Sequence, residues 1–373
     1  MSLQVAGGVF LALGLALALY LRAVRYAYRL RDQRPRRLWA KTLDGWEIAV
    51  FARTPPVRRF REPVLLCHGL ATNHLNLDFE PPYSLARAFA EAGFCVYSLD
   101  WRGAGESRPP RGRGRFDFDA DDLIFKDAPA VMDLLFKESG GEELFWVGHS
   151  LGGLVGYAVL GGADGARLRG LCALGAPVYF HYPRWLAGAL RACTWLGWPV
   201  AFRQRLLSLA CAPFMGRLTL PFSDVLLNPQ AVAPSVLRRI HANLIDSMGY
   251  RLLRQLDDWT RHDRFCSRDG TTDYRARLAD VRRPVLVLGG TRDRLAPPTA
   301  ISAQAALLGS PDKTVMLFGR ENGEALDYGH GDLLFGTGAP GEVYPRIVAW
   351  AAERASPLTA EEKMSGPGLA GDG

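Results

Sequence analysis

The sequence predicts an α/β fold: a mostly parallel sheet with helices on both faces, a helical insertion, and one apolar helix ahead of it. Three observations predict this. Short, wholly apolar runs recur between residues 64 and 318, helical patterns lie between most of them, and the alternation breaks once, over about 179–280. A strand buried on both faces of a parallel sheet needs no polar side, so an unbroken apolar run is its signature. Strand alternating with helix then places helices on the two faces.

The first element is the apolar segment. Residues 1–21 carry no charged side chain. Some 20 residues rising about 1.5 Å each span roughly 30 Å, one hydrocarbon thickness. A cleaved signal peptide carries its positive charge before the apolar run. Here the charge follows: Arg22, Arg25, Arg29, Arg31, Arg34, Arg36 and Arg37 stand against Asp32 alone. The expectation is a transmembrane anchor over 1–21 and a basic juxtamembrane linker over 22–37. The protein would be single-pass in the cell membrane, with its catalytic domain on the cytoplasmic side. That linker holds +6 of the net charge of +7. The excess is therefore a local patch suited to anionic headgroups, which argues against a nucleic-acid partner. The six cysteines are scattered, three of them in or beside apolar runs, and read as buried small hydrophobes rather than a disulfide framework.

The domain proper spans 38–355. Residues 38–42 and 47–53 are strand-like around Asp44-Gly45, a hairpin turn signal. Apolar strands follow at 64–67, 95–99, 144–147, 171–174, 285–288 and 314–318, with helical patterns at 83–92, 123–137, 151–160 and 299–307. Residues 342–353 form a closing helix, and 356–373, rich in Gly and Pro, read as a disordered tail. The stretch 179–280 has no core-strand candidate and reads as a helical lid over the C-terminal edge of the sheet, where open α/β sheets bind ligands.

Chemistry concentrates at Gly148-His149-Ser150-Leu151-Gly152-Gly153, directly after one strand and before a helix. A serine in a tight strand-to-helix turn needs small neighbours two residues away on each side, and Gly148 and Gly152 supply them. The turn lifts the Ser150 hydroxyl to a helix N-terminus, where backbone N–H groups meet developing negative charge. A hydroxyl also needs a base and an orienting acid. His330 lies in a loop after the last strand, and Asp293 follows the strand at 285–288, giving the order Ser, Asp, His. Asp327 and Asp332 are rival acids by proximity. The two oxyanion donors are expected from the amides of Leu151 and Leu70, the latter in His68-Gly69-Leu70. His68 and His149 are read as ordering residues rather than bases.

These motifs, with Asp100-Trp101-Arg102-Gly103-Ala104-Gly105-Glu106-Ser107 between them, resemble the α/β-hydrolase superfamily over about 38–355. The segments Gly-Thr-Arg-Asp-Arg-Leu-Ala and Gly-His-Gly-Asp-Leu-Leu-Phe-Gly are similar to its serine esterase and lipase branch, including acid-lipase-like enzymes. The resemblance implies an eight-stranded sheet, no metal and no organic cofactor. Epoxide hydrolases and dehalogenases of this fold carry Asp at the elbow and polyhydroxyalkanoate synthases carry Cys, whereas this chain has Ser150.

The apolar, tryptophan-rich run 185–200 is too short and too interrupted for a second span. It either packs the insertion onto the sheet or forms an apolar lid that lines an acyl pocket or touches the bilayer. Arg108, Arg111, Arg113 and Arg115 read as a solvated basic loop, neutralised by Asp117, Asp119, Asp121 and Asp122. The functional expectation is a membrane-anchored serine hydrolase cleaving carboxylic esters, lipid-like or with an apolar acyl chain, through an acyl-enzyme. An acyltransferase with a non-water acceptor and a non-catalytic binding protein of this fold are the alternatives.

Overall fold

The computed structural model describes residues 3–30, 35–182, 185, 187, 188, 191, 192, 204–217, 223–228, 230–359 and 362. Most of the tryptophan-rich run 185–200, part of the arginine cluster and most of the tail lie outside the described residues.

The chain opens with α1 (Leu3–Ala27), which runs past the predicted end at residue 21. Its stretch Gly7–Ala27, of mean hydropathy 1.9, is long and apolar enough to cross a membrane. Phe10, Leu11 and Leu13 on it are exposed.

Eight strands then form one sheet in the order β1-β2-β4-β3-β5-β6-β7-β8. They are β1 (Arg36–Lys41), β2 (Glu47–Arg53), β3 (Val64–Cys67), β4 (Val96–Leu99), β5 (Leu144–His149), β6 (Leu168–Leu174), β7 (Val285–Gly290) and β8 (Lys313–Phe318). β1 and β2 make the antiparallel hairpin, β2 meets β4 antiparallel, and every other pairing is parallel. The apolar runs are apolar because both faces are covered. Leu65, Cys67, Val285 and Val287 face one core, while Val64, Leu66, Leu286 and Leu288 face the other.

α2 (Leu85–Ala92) is capped by the Ser84 side chain and ended by Gly93 at φ 106°. α3 (Ala128–Ser139) is entered through a π-turn, Leu123–Asp127, so the predicted helix at 123–137 begins with a widened turn. That turn carries Asp127, fully buried, onto the Arg102 guanidinium at 2.6 and 2.8 Å. α4 (Leu151–Leu160) follows the β5 elbow.

Between β6 and β7 the chain leaves the sheet for 175–284, with α5 (Gln204–Cys211), α6 (Pro234–Asn243) and α7 (Tyr250–His262) among the described residues. The foot of α1 packs on this insertion, burying Val24 with Leu209 and Ala212. The Tyr20 hydroxyl donates to the Ala210 carbonyl (2.7 Å), and Asn243 Nδ2 donates to the Tyr28 carbonyl (2.9 Å). The acidic run 117–122 pairs mainly with this insertion, not with the basic loop before it. Arg251 reaches Asp117 and Asp119, Arg268 reaches Asp119, and Gln255 and Tyr274 donate to Asp121.

Candidate active site

β3, β5, β6 and β7 are parallel neighbours, so their C-terminal ends open on one edge, and the candidate residues gather there. Ser150 adopts φ 53°, ψ −119° at the end of β5, a region that non-glycine residues rarely occupy. Its N–H donates to the Leu174 carbonyl of β6 (2.8 Å). The flanking glycines are required by contact: a Cβ on Gly148 would lie 2.3 Å from the Gly152 carbonyl oxygen, and one on Gly152 would lie 2.2 Å from that of Cys67. Trp146 Nε1–H donates to the Gly152 carbonyl (2.9 Å), bracing the first turn of α4.

Asp293 follows β7. Its Oδ2 receives His330 Nδ1 at 2.9 Å, and its Oδ1 accepts the Leu295 and Ala296 amides at 2.8 Å each. Both side chains are buried. Gly175, at φ 55° after β6, lies under the pair, where a Cβ would sit 3.1 Å from His330 Nδ1. The rival acids are engaged elsewhere. Asp327 accepts the Arg320 amide (3.0 Å), and Asp332 accepts the amides of Gly329 (2.7 Å) and Asn228 (2.8 Å). Burial raises the Asp332 carboxyl to about 7 against the pull of those amides. Ser150 Oγ and His330 make no hydrogen bond among the described residues. Such bonds are often long before substrate binds and tighten in the complex.

The loop after β3 comes against the serine at Gly69, where a Cβ would lie 3.2 Å from the Ser150 Cβ. His68 orders it: Nε2 accepts the Trp101 amide (3.0 Å), which leaves the Nδ1 proton to the Gly69 carbonyl (2.8 Å). The Trp101 indole N–H returns to the His68 carbonyl (3.1 Å). Burial holds the His68 ring near pKa 4, neutral at ordinary pH and unsuited to act as a base in bulk exchange. Neither the Leu70 nor the Leu151 N–H has a hydrogen-bond partner among the described residues. A cavity beside them is lined by Leu70, Leu151, Trp101, Phe118, Met248 and Leu252.

One side chain, Asn76, completes the site without any motif pointing to it, and it does so through His149 of the elbow motif. Asn76 Oδ1 accepts the Gly69 amide (3.1 Å) and lies 3.0 Å from His149 Nδ1. His149 in turn sets its Nε2 3.2 Å from the His330 carbonyl oxygen, with the two rings 4.8 Å apart. Burial, then the neighbouring His330, push the His149 ring to about 3. By contrast, the Asp100–Ser107 motif is a strut. Asp100 Oδ1 takes the His74 amide (2.7 Å), its Oδ2 takes that of Glu106 (2.8 Å), and Gly105 leaves room where a Cβ would fall 1.9 Å from Oδ2.

A family model described as the alpha/beta hydrolase fold matches residues 62–189, the stretch from β3 through the elbow into the insertion. The chain has the α/β-hydrolase fold. It is 29% identical over 155 residues to triacylglycerol lipase 2 of Arabidopsis thaliana, a match covering 37% of the chain and 36% of that protein. The chain thus spans little more than a third of the length of that relative. Among solved structures, an esterase from Thermogutta terrifontis superposes with a TM-score of 0.58 at 19% identity, covering 86% of this chain and all of that one. A monoacylglycerol lipase from Paleococcus ferrophilus gives 0.54 at 21%, covering 82% and 99%. At these identities the structural likeness speaks for the fold.

Proposed function

We propose that this α/β hydrolase is a membrane-anchored serine esterase that cleaves carboxylic esters with an apolar acyl chain. One observation carries the reading: a serine in a strained elbow lies beside two amides that have no partner among the described residues, with a buried His330–Asp293 pair brought to the same sheet edge by the segments after β8 and β7. Because Nδ1 of His330 faces the carboxylate, Nε2 is left to accept the Ser150 proton as Oγ attacks the ester carbonyl. Asp293, held by three hydrogen bonds, fixes that tautomer and stabilises the imidazolium. The oxyanion develops between the Leu70 and Leu151 amides at the N-terminus of α4. Collapse expels the alcohol, protonated by His330. Water activated by the same ring then releases the acid from Ser150.

The acyl chain is read from the apolar side chains beside the amides, Trp101, Phe118, Met248 and Leu252, which with Thr72 and Arg102 enclose a cavity of only about 20 Å³, so an acyl chain has to part them to enter. The names of the relatives, lipases of acylglycerols, support the same class. Membrane placement rests on α1, with Arg22, Arg25 and Arg29 at its end favouring a cytoplasmic catalytic domain.

A fluorophosphonate probe should label the full chain and fail to label Ser150→Ala. Turnover of p-nitrophenyl esters should yield free acid and should rise from acetyl to octanoyl. Folded wild type that resists the probe would overturn the acyl chemistry, and a preference for acetyl would remove the apolar-chain assignment.

A further inference from the structure

The loop that presents the Leu70 amide is shaped from outside itself. Ala71 lies at φ 59°, a left-handed conformation that a residue with a Cβ holds only where its surroundings impose it. The imposing contact comes from the insertion: the Asp246 N–H donates to the Ala71 carbonyl (2.8 Å), and the Asp246 carboxylate is itself fixed by the Gly105 amide (2.7 Å). Asn73, two residues on, divides its side-chain amide. Oδ1 accepts the Leu75 N–H (3.1 Å) and caps the single turn His74–Asn76, while Nδ2 donates to the Asn243 carbonyl (3.0 Å) at the last residue of α6. The Asn243 side chain then donates to the Tyr28 carbonyl (2.9 Å) at the foot of α1. Downstream of the same turn, Asn76 receives the amide of Gly69, the residue before Leu70, at 3.1 Å. Asn73 and Asn76 are 5% and 3% exposed, so water does not stand in for a lost partner.

We infer that Asn73 is a positioning residue for the Leu70 oxyanion amide, and that the insertion residues Asp246 and Asn243, the latter bonded to the foot of α1, set the register of that loop. The inference rests on the acyl chemistry proposed for Ser150. Its physical content is direct. The core side of the turn is pinned by Asp100, which takes the His74 amide, so the side facing α6 is the one whose loss lets Ala71 relax to ordinary backbone. Relaxation there rotates the peptide planes on either side of Leu70. A donor aimed at a developing charge loses its effect over a few tenths of an ångström.

The test uses the full chain in detergent micelles. Asn73→Ser keeps the cap, since serine caps as well as asparagine, but cannot reach the Asn243 carbonyl. Asn243→Leu cuts the link to Tyr28 and leaves the loop sequence intact. Two readouts are taken on each preparation: kcat and KM for a short soluble ester, and amide hydrogen exchange over 69–77. Asn73→Ser should lower kcat about 10-fold, less than the 10²–10³ of a donor lost outright, with KM nearly unchanged. Exchange at 69–72 should quicken in both variants, more in Asn73→Ser. An Asn73→Ser enzyme with wild-type kcat, or exchange over 69–77 unchanged in both variants, overturns the inference. If Asn73→Ser does not fold, Asn243→Leu carries the test by the same two readouts. If the wild type turns over no ester while exchange still quickens in both variants, the positioning link stands and the reading of Ser150 falls.

Discussion

Ser150 holds its backbone at φ 53° because two backbones close on it, and the glycines on either side are where that closure is felt. Gly152→Ala would press a Cβ to 2.2 Å from the Cys67 carbonyl oxygen, with backbone on both sides and no flexible end to yield. Overpacking of this kind costs about 1–3 kcal/mol or more. Urea denaturation should show that loss, together with slower fluorophosphonate labelling as β3 and α4 part. Asp293→Asn tests the acid. The Leu295 and Ala296 amides can still bond the side-chain oxygen, but an amide N–H now faces His330 Nδ1 and imposes the wrong tautomer. Steady-state kinetics should show kcat lower by an order of 10⁴ with KM little moved. These residues were legible in the sequence because their chemistry dictates neighbours: a strained serine demands small residues, and an acid at a strand end has a fixed place in the chain order. Asn73 and Asn76 were not legible. Their work is done by a side-chain amide across a loop, and asparagine in a loop is ordinary.

At the scale of elements, the strands were readable because burial on both faces leaves an unbroken apolar run, as at Val64–Cys67 and Leu144–Val147. The helices of the insertion were readable only as helices, since an amphipathic pattern says that a face is covered and not by what. The covering of α5 by α1 is the case in point: Leu209 and Ala212 meet Val24 across about half the length of the chain. Deleting residues through 27 should therefore do more than free the domain from membranes. It uncovers those side chains and unseats Tyr28, whose carbonyl the Asn243 side chain meets, and hydrogen exchange should show α5 and α6 opening ahead of the sheet. In the same preparations, carbonate extraction should leave the full chain with the membrane and the deleted chain in the supernatant.

For the whole molecule, two buried carboxyls pull stability in opposite senses with pH. Asp332 keeps its proton to about 7 when folded against an ordinary carboxyl value of 3.8, so between these the folded chain binds more protons and stability falls as pH rises from about 4 to 7. Burial would raise Asp100 as well, but the His74 ring and the Glu106 amide outweigh it and hold it at about 2, so its contribution is lost only as pH falls from about 4 through 2. Asp332→Asn, which keeps an acceptor for the Gly329 and Asn228 amides, should flatten the decline of Tm between pH 4 and 7. Thermal melts across that range decide it. The order of the sheet has a consequence of a different kind. β6 and β7 lie side by side, yet the whole of 175–284 is made between them, so the ribosome delivers Ser150 and the Leu70 and Leu151 amides long before Asp293 and His330. At about 5–20 residues per second, a growing chain spends many seconds with its elbow complete and no imidazole to activate it. On the function proposed above, a chain held at a membrane by α1 would thereby be kept from attacking the esters around it until its last strands are in place.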